Sequence, residues 1–516
     1  MSRLTSFSTR LYSGVDLKTI ERELKIGTGT SQFLAQCFDN LDEMRRYLEP
    51  EVSNLHSPEL LSNIDHLTDL TLLALDNGEG IFVWGHDDVD GHTATAIMVK
   101  TLRLLNGRVD YHIPDKQKEG YLIPEELIEK IKSEGFTTII TADFGSSSPL
   151  NLKRCRKAGI KLLVTDHHEV LYNEGVQVNP KFPNSRYPEN NLSGAAVSMK
   201  VAQYLATNIL DISIEEFYAL NPDLLILAFL GSVADRMDLF GENRTIILLG
   251  LKEFNRSKSG WVRTLQDENA GNYPQIIHKI IPLLGSARGD SAVKFYHCED
   301  YEEALLYIKK FKESQKTWRN GFARFLPMVL KSVKLYPNLS LAIVPGLPLE
   351  FLGSFANRLK DEFSRNSIVV TRRNGDWMAE MRGLGSIDLV EKLLPMKGCL
   401  TDFGGHPLAC GLSFPDRFFD VVIPRIIEIL KDLSTVKSEK KTIRLKISTI
   451  DDSMKKIFPL SRDIIFFSPR TEVNGGRVCN RKVVWNVTPP VDGIYDLSYT
   501  LDEDLNIYIR EVRCPP

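Results

Sequence analysis

The chain has little that would pair its cysteines. Cys37, Cys155, Cys298, Cys399, Cys410, Cys479 and Cys514 stand singly, with no C-x-x-C spacing and an odd total. That pattern argues against a zinc ribbon and against a disulfide framework, and the thiols are expected to be reduced. No apolar run reaches the roughly 18–20 residues of a membrane span, and the opening MSRLTSFSTR lacks the apolar stretch of a secretory signal. A cytoplasmic protein with no membrane partner is the expectation. A formal net charge of −3 excludes a wholesale basic nucleic-acid binder, so any such function must rest on a local patch. There is no internal repeat and no low-complexity tract.

What is present is ordinary globular material. A chain of 516 residues, 43% hydrophobic and 25% charged, has room for two to four domains at about 100–200 residues each. Residues 1–75 show helical periodicity, as in NLDEMRRYLEP and PELLSNIDHLTDLTLLAL. From 76 to 297, the runs GIFVWG, RVDYHI, TTIITA, KLLVT and VQVN alternate with longer amphipathic stretches. That alternation predicts βαβ units, hence an α/β domain with a parallel sheet covered by helices on both faces. A charged helical stretch at 298–334 reads as a connector into a smaller α/β region at 335–432. The segment STVKSEKKTIRLK then leads into a β-rich unit at 437–516, with turn signals at Gly475-Gly476 and Asp492-Gly493.

Acid and imidazole collect where apolar elements end. His86, Asp88 and Asp90 alternate just past the run 80–84, Asp143 follows TTIITA, Asp166, His167 and His168 follow KLLVT, and Asp235 closes an apolar helix. Ligands of parallel sheets sit at such carboxyl ends. Mixed carboxylate and imidazole donors favour Mn²⁺ or Mg²⁺ over structural zinc, and two such ions sharing a carboxylate can hydrolyse a phosphate ester. Taken singly, each residue has a plainer reading: Asp143 as a helix N-cap, His92 as a packed or capping residue at a helix start. Together, four such groups are harder to dismiss.

GHDDVDG, ADFG, TDHHE and GSVADRMDL, in this order, resemble the four motifs of the DHH phosphoesterases, and DFGGHPLACGLSF resembles the GGH motif of their DHHA1 domain. The segments IPDKQKEGYLIPEEL, LSGAAVSMKVAQYL and MDLFGENRTII, with the connector before DHHA1, are similar to the RecJ-type single-stranded-DNA exonucleases. The resemblance runs from roughly residue 45 to 430. It implies that His86, Asp88 and Asp143 hold one divalent ion, Mn²⁺ or Mg²⁺, and that Asp90, Asp143, His167 and Asp235 hold a second, with Asp143 as bridge. His168 is implied to contact the scissile phosphate and Asp166 to orient the imidazoles. Lys116, Arg382, Gly404, Gly405 and His406 are implied to bind substrate, the glycines by letting backbone N–H groups approach phosphate. The implied activity is 5′ to 3′ hydrolysis of single-stranded DNA in repair or recombination, by a monomer that works beside a helicase or a single-strand-binding protein. RNA remains open as a substrate. The alternatives within the family are an enzyme for short oligonucleotides or cyclic dinucleotides, and a non-catalytic replication scaffold.

Departures from the RecJ pattern are specific. His86 stands where the first motif usually has Asp, Lys116 replaces an arginine and loses its bidentate fork, and Pro407 and Cys410 replace small residues. Between Lys437 and Lys482 there are twelve Lys/Arg against five Asp/Glu, interleaved with Phe458, Phe466, Phe467 and Trp485. A basic, aromatic β unit suits an OB-like module for single strands; the plainer reading makes the aromatics core.

Overall fold

The computed structural model describes residues 14–115, 119, 122–268, 271–373, 375–385, 387–431, 441–460, 464–474, 476–479, 481–488 and 490–515. Lys116, Gly475 and residues 432–440, which carry most of the expected linker, lie outside the described residues.

Five apolar runs form a wholly parallel sheet. The strands are β1 (Gly80–Trp84), β2 (Val109–His112), β3 (Phe136–Ala142), β4 (Lys161–Thr165) and β5 (Val176–Val178), in the order β2-β1-β3-β4-β5. Both faces are covered, which is why β1 is apolar throughout. Phe82, Trp84, Ile139 and Leu162 pack with Ile128, Ile131, Leu152 and Cys155 of the helices Glu125–Ser133 and Pro149–Ala158. The alternate residues Ile81, Val83, Ile140 and Leu163 are also buried, toward the other face, where the helices Val89–Leu104 and Gly194–Leu210 meet the sheet. The strand order reverses between β1 and β3, and such a switch point opens a crevice at the carboxyl ends.

The helix Tyr301–Ser332 is started by Asp300, whose carboxylate accepts the Glu303 N–H at 2.8 Å. It leads to a mixed sheet of β6 (Val333–Tyr336), β7 (Leu339–Ile343), β8 (Asn366–Arg373), β9 (Asp376–Arg382), β10 (Asp402–His406) and β11 (Ala409–Pro415), ordered β10-β11-β9-β8-β7-β6. Strand β9 alternates strictly between buried and half-buried residues, so Glu380 and Arg382 share the half-buried face. Both sheets belong to one compact unit, 55–237 with 246–438.

A second unit joins 1–54, 238–245 and 439–516. The boundaries read from the sequence, near 75 and at 437, do not follow this division. The sheet of β12 (Lys441–Arg444), β13 (Ile464–Asn474), β14 (Arg477–Val478), β15 (Val484–Trp485), β16 (Gly493–Leu501) and β17 (Ile507–Arg513) shares its core with the helices Leu17–Leu24, Thr28–Cys37 and Leu41–Leu48. Phe33, Leu34 and Met44 pack with Ile443, Phe466 and Tyr499. Arg244 is buried here: its guanidinium lies 3.8 Å over the Tyr47 ring and donates to the carbonyls of Tyr47, Pro459 and Ile457 at 2.8, 2.7 and 3.1 Å. Through these carbonyls the buried arginine ties the helices to the loop before β13. Among the described residues, no single helix is long and apolar enough to cross a membrane.

Candidate active site

The crevice holds the predicted residues. His86, Asp88, Asp90, Asp143, Asp166, His167, His168 and Asp235 line one wall of a cavity of about 300 Å³, and Glu380, Arg382, Asp402 and Gly404 to His406 line the other. Four loops at strand or helix ends converge there.

The first loop turns from β1 into the helix Val89–Leu104. Asp88 is the N-cap, accepting the Gly91 N–H at 2.9 Å with one oxygen while the other lies 3.0 Å from His86 Nδ1. The capping position considered for Asp143 is taken by Ser148, which precedes the helix Pro149–Ala158 after β3. Asp90, in the first turn, is buried and accepts the N–H groups of Gly194 and Ala195 at 2.7 and 2.9 Å. Those are the first donors of the helix Gly194–Leu210, so a helix N-terminus compensates a buried carboxylate. The sequence reading took Gly194 only as part of a small-residue helix; a Cβ there would fall 2.4 Å from Asp143 Oδ1.

Asp143 follows β3 with a left-handed φ of 62°, a strained conformation that Asp tolerates better than most residues. It is 1% exposed, so its carboxylate sees only the cluster. Oδ2 lies 3.6 Å from His86 Nδ1 and Oδ1 lies 3.0 Å from His167 Nε2. One carboxylate therefore reaches both groups. Asp166, after β4, accepts the N–H groups of Ser146 and His167 at 2.8 and 2.7 Å, and His168 Nδ1 lies 2.8 Å from its Oδ1. His167 Nδ1 lies 2.7 Å from the Leu192 carbonyl and must donate to it. Nε2 of that ring then faces Asp143, Asp90 and Asp235, the last two at 3.7 and 3.8 Å. His406 stacks on His168 with centroids 4.6 Å apart and an interplanar angle of 22°. His92 takes the plainer part: it is buried, 3.3 Å from Asp87, and outside the cavity wall.

The electrostatics call for a cation. Burial, then the neighbouring Asp143 charge, holds Asp90 well above the usual carboxylate range, and burial pushes Asp235 up to about 6. For His167, burial would lower the pKa, but Asp143, Asp235 and Asp90 outweigh it and push it up to about 10. Burial likewise opposes ionisation of Asp143 and Asp166, yet their histidine partners hold both below the ordinary value. Burial and the adjacent imidazoles push His406 down to about 2. Asp235 Oδ2 is buried with no hydrogen-bond donor among the described residues, and Asp143 Oδ1 has only the approach of His167 Nε2 within hydrogen-bond distance. Since His167 Nδ1–H is committed to Leu192, its Nε2 meets three carboxylates either with a second proton or across a positive ion. The donor atoms of His86, Asp88 and Asp143, and those of Asp90, His167 and Asp235, each lie within 4.8 Å of one another. Oxygen and imidazole donors in that number fit Mn²⁺ or Mg²⁺.

Residues 80–231 match the DHH family, N-terminal domain. The chain is similar to the single-stranded-DNA-specific exonuclease RecJ of Bacillus subtilis (strain 168), 28% identical over 441 residues covering 81% of this chain and 54% of that protein. Against the same-named exonuclease of Dickeya dadantii it is 27% identical over 414 residues, covering 74% of this chain and 72% of that one. The chain thus spans about half the length of its Bacillus relative. The crystal structure of RecJ in complex with Mn²⁺ from Thermus thermophilus superposes with a TM-score of 0.73 at 19% identity, covering 98% of this chain and 79% of that one, which establishes a shared fold.

The DHH motifs supply one wall; the other came partly unforeseen. Arg382, Gly404, Gly405 and His406 face the cavity as a group, whereas Glu380, Ser147 and Phe144 were not singled out in the sequence. Glu380 had a signal: two residues before Arg382 on a strand, it must share its face. Phe144 lies parallel to the His86 ring, at 7° and 6.5 Å. Gly405 has a φ of 132°, and a Cβ there would meet the Ala409 carbonyl at 2.3 Å, so the GGH hairpin requires glycine at this position.

Proposed function

We propose that the protein is a divalent-cation-dependent exonuclease that hydrolyses phosphodiester bonds of single-stranded DNA. The observation that carries this reading is Asp143, a buried carboxylate in reach of two separate donor sets. His86, Asp88 and Asp143 would hold one ion; Asp90, Asp143, His167 and Asp235 would hold the other. When bound, the ions supply Lewis-acid neutralisation of phosphoryl charge and acidify water.

The chain's own residues do the rest. Asp166 accepts from His168 Nδ1 and so orients the ring, whose Nε2 donates to a phosphate oxygen when the imidazole carries its second proton. Leu192 fixes His167 in the same way for the cluster. The sheet face bearing Arg382, Gly404, Gly405 and His406 forms the opposite wall for the substrate, and Lys116 is assigned to substrate binding by resemblance alone. Action from the 5′ end, monomeric state, and work beside a helicase or single-strand-binding protein in repair or recombination follow from the likeness to RecJ exonucleases.

The test is digestion of long single-stranded DNA labelled at either end, with Mn²⁺ or Mg²⁺ and with EDTA as control. The reading predicts early release of 5′ label as mononucleotide, blocked by EDTA. Release of 3′ label first would overturn the polarity, and an inert strand would overturn the activity.

A further inference from the structure

The cavity wall opposite the acid cluster contains two carboxylates, Asp402 and Glu380, of which Glu380 stands beside Arg382. Along the cavity face, Gly404 of β10 pairs with Gly411 of β11, which pairs with Glu380 of β9; the next row reads His406, Ala409, Arg382. Two glycines leave the first row without side chains, a trough of about 10 Å across two strand spacings. Ser147 Oγ approaches it from the other wall, 3.0 Å from where a Cβ on Gly404 would sit. The trough ends at Glu380.

Glu380 is held in place. Arg382 Nη1 donates to its Oε2 at 2.9 Å and to the Met381 carbonyl at 2.7 Å. Gly353 lets the guanidinium settle against its helix: a Cβ there would meet Arg382 Nη2 at 2.5 Å. Glu380 Oε1 accepts no hydrogen bond among the described residues, and it lies 3.1 Å from where a Cβ on Gly411 would sit. A fixed, uncommitted acceptor thus looks onto the trough. A carboxylate repels phosphate and seeks a donor. A phosphate would then lie toward His406 and His168 and the nucleoside over Gly404 and Gly411, so that Gly404 would face the nucleoside and not the phosphate the resemblance implies.

Resting on the exonuclease reading, we infer that Glu380, held by Arg382, accepts a hydrogen bond from a donor on the substrate's nucleoside and so sets substrate preference. Two donor sources share this chemistry: an exocyclic base amine and a ribose hydroxyl. A site built around such an acceptor discriminates against a nucleoside that cannot fill it.

The experiment compares kcat/KM on short oligomers of dT, dC and rU with Mn²⁺. Oligo-dT has an imide N3–H but neither an exocyclic amine nor a 2′-hydroxyl; dC has the amine, and rU keeps the imide and adds the 2′-hydroxyl. The wild type should prefer dC or rU to dT by about tenfold. The member that gains identifies the donor. Glu380→Ala should bring the ratio within about twofold of one, because the acceptor is gone. Glu380→Gln, which keeps an acceptor oxygen and the side-chain shape, should lie between them; it decides the matter if the alanine variant does not fold. Ratios near one in the wild type, or wild-type ratios retained in a folded variant, would overturn the inference alone. A wild type inert toward all three would overturn the exonuclease reading, and this inference with it.

Discussion

The carboxylate of Asp90 accepts the backbone N–H of Gly194 at 2.7 Å, so a single acid faces the ion cluster and anchors the first turn of another helix. Helix and cluster are therefore placed by the same contact. Because a Cβ on Gly194 would fall 2.4 Å from Asp143 Oδ1, Gly194→Ala must shift either the helix or the acid. A displacement near 1 Å at a reacting centre costs about a hundredfold in rate. Steady-state hydrolysis of a single strand should fall by about that factor in a folded variant, whereas a wild-type rate would show that the close approach is dispensable.

The ion-free protein should lose stability as pH rises. His167 is pushed to about 10 from 6.5 and Asp235 to about 6 from 3.8. Each binds more protons folded than unfolded. Its stabilisation is complete below the unfolded value and disappears as pH climbs through the folded one. In EDTA, from about pH 4 to 6 the loss through Asp235 is opposed by His406, which at about 2 binds fewer protons folded than unfolded, and the decline should run from about 6.5 to 10 through His167. Comparing Tm against pH for wild type and His167→Gln isolates the second window. The wild type should fall more steeply there, and saturating Mn²⁺ should flatten the difference; parallel curves would contradict the charge assignment.

Arg244 holds the second unit together. Replacing it with methionine removes the donors to the carbonyls of Tyr47 and Pro459, and one of two donors to that of Ile457, which also accepts from the Tyr47 hydroxyl at 3.2 Å. At about 1–3 kcal/mol for each buried group left unsatisfied, the unit should unfold at markedly lower urea than in the wild type. Arg244→Lys should recover little, since one ammonium cannot fork to three acceptors. An unchanged urea midpoint for either variant would contradict this role.

The basic excess around 437–482 is best tested on the surface. Deleting 439–516 would strip the helices of residues 17–48 of their core partners. Arg470 and Lys482 are exposed, and reversing both to Glu leaves that core intact. If this face tracks the DNA backbone, affinity for a long single strand should drop, and the slope of log K against log salt should become shallower by roughly 0.7 per lost phosphate contact. An unchanged slope would take the face out of substrate binding.

Much of this was legible because the informative patterns are local. The runs 80–84, 136–142 and 161–165 each end in acid or imidazole, and a parallel sheet places those ends side by side. What failed was the detail of how the chain leaves each strand. His86, Asp88 and Asp90 were read as alternating along an extended chain; Asp88 instead caps the helix that carries Asp90 in its first turn. The packing of residues 14–54 on the last sheet had no local signal at all. Gly27 N–H donates to Ser453 Oγ at 2.8 Å across 426 residues of sequence, and nothing in either segment announces the other.

The most direct test is the number of Mn²⁺ ions bound at equilibrium, counted by electron paramagnetic resonance of the free ion, in wild type and in Asp143→Ala. A centre bridged by Asp143 predicts two tight ions per wild-type chain, and in the variant at most one, bound more weakly, with hydrolysis lost. One tight ion in the wild type, or two in a folded Asp143→Ala protein, would contradict it.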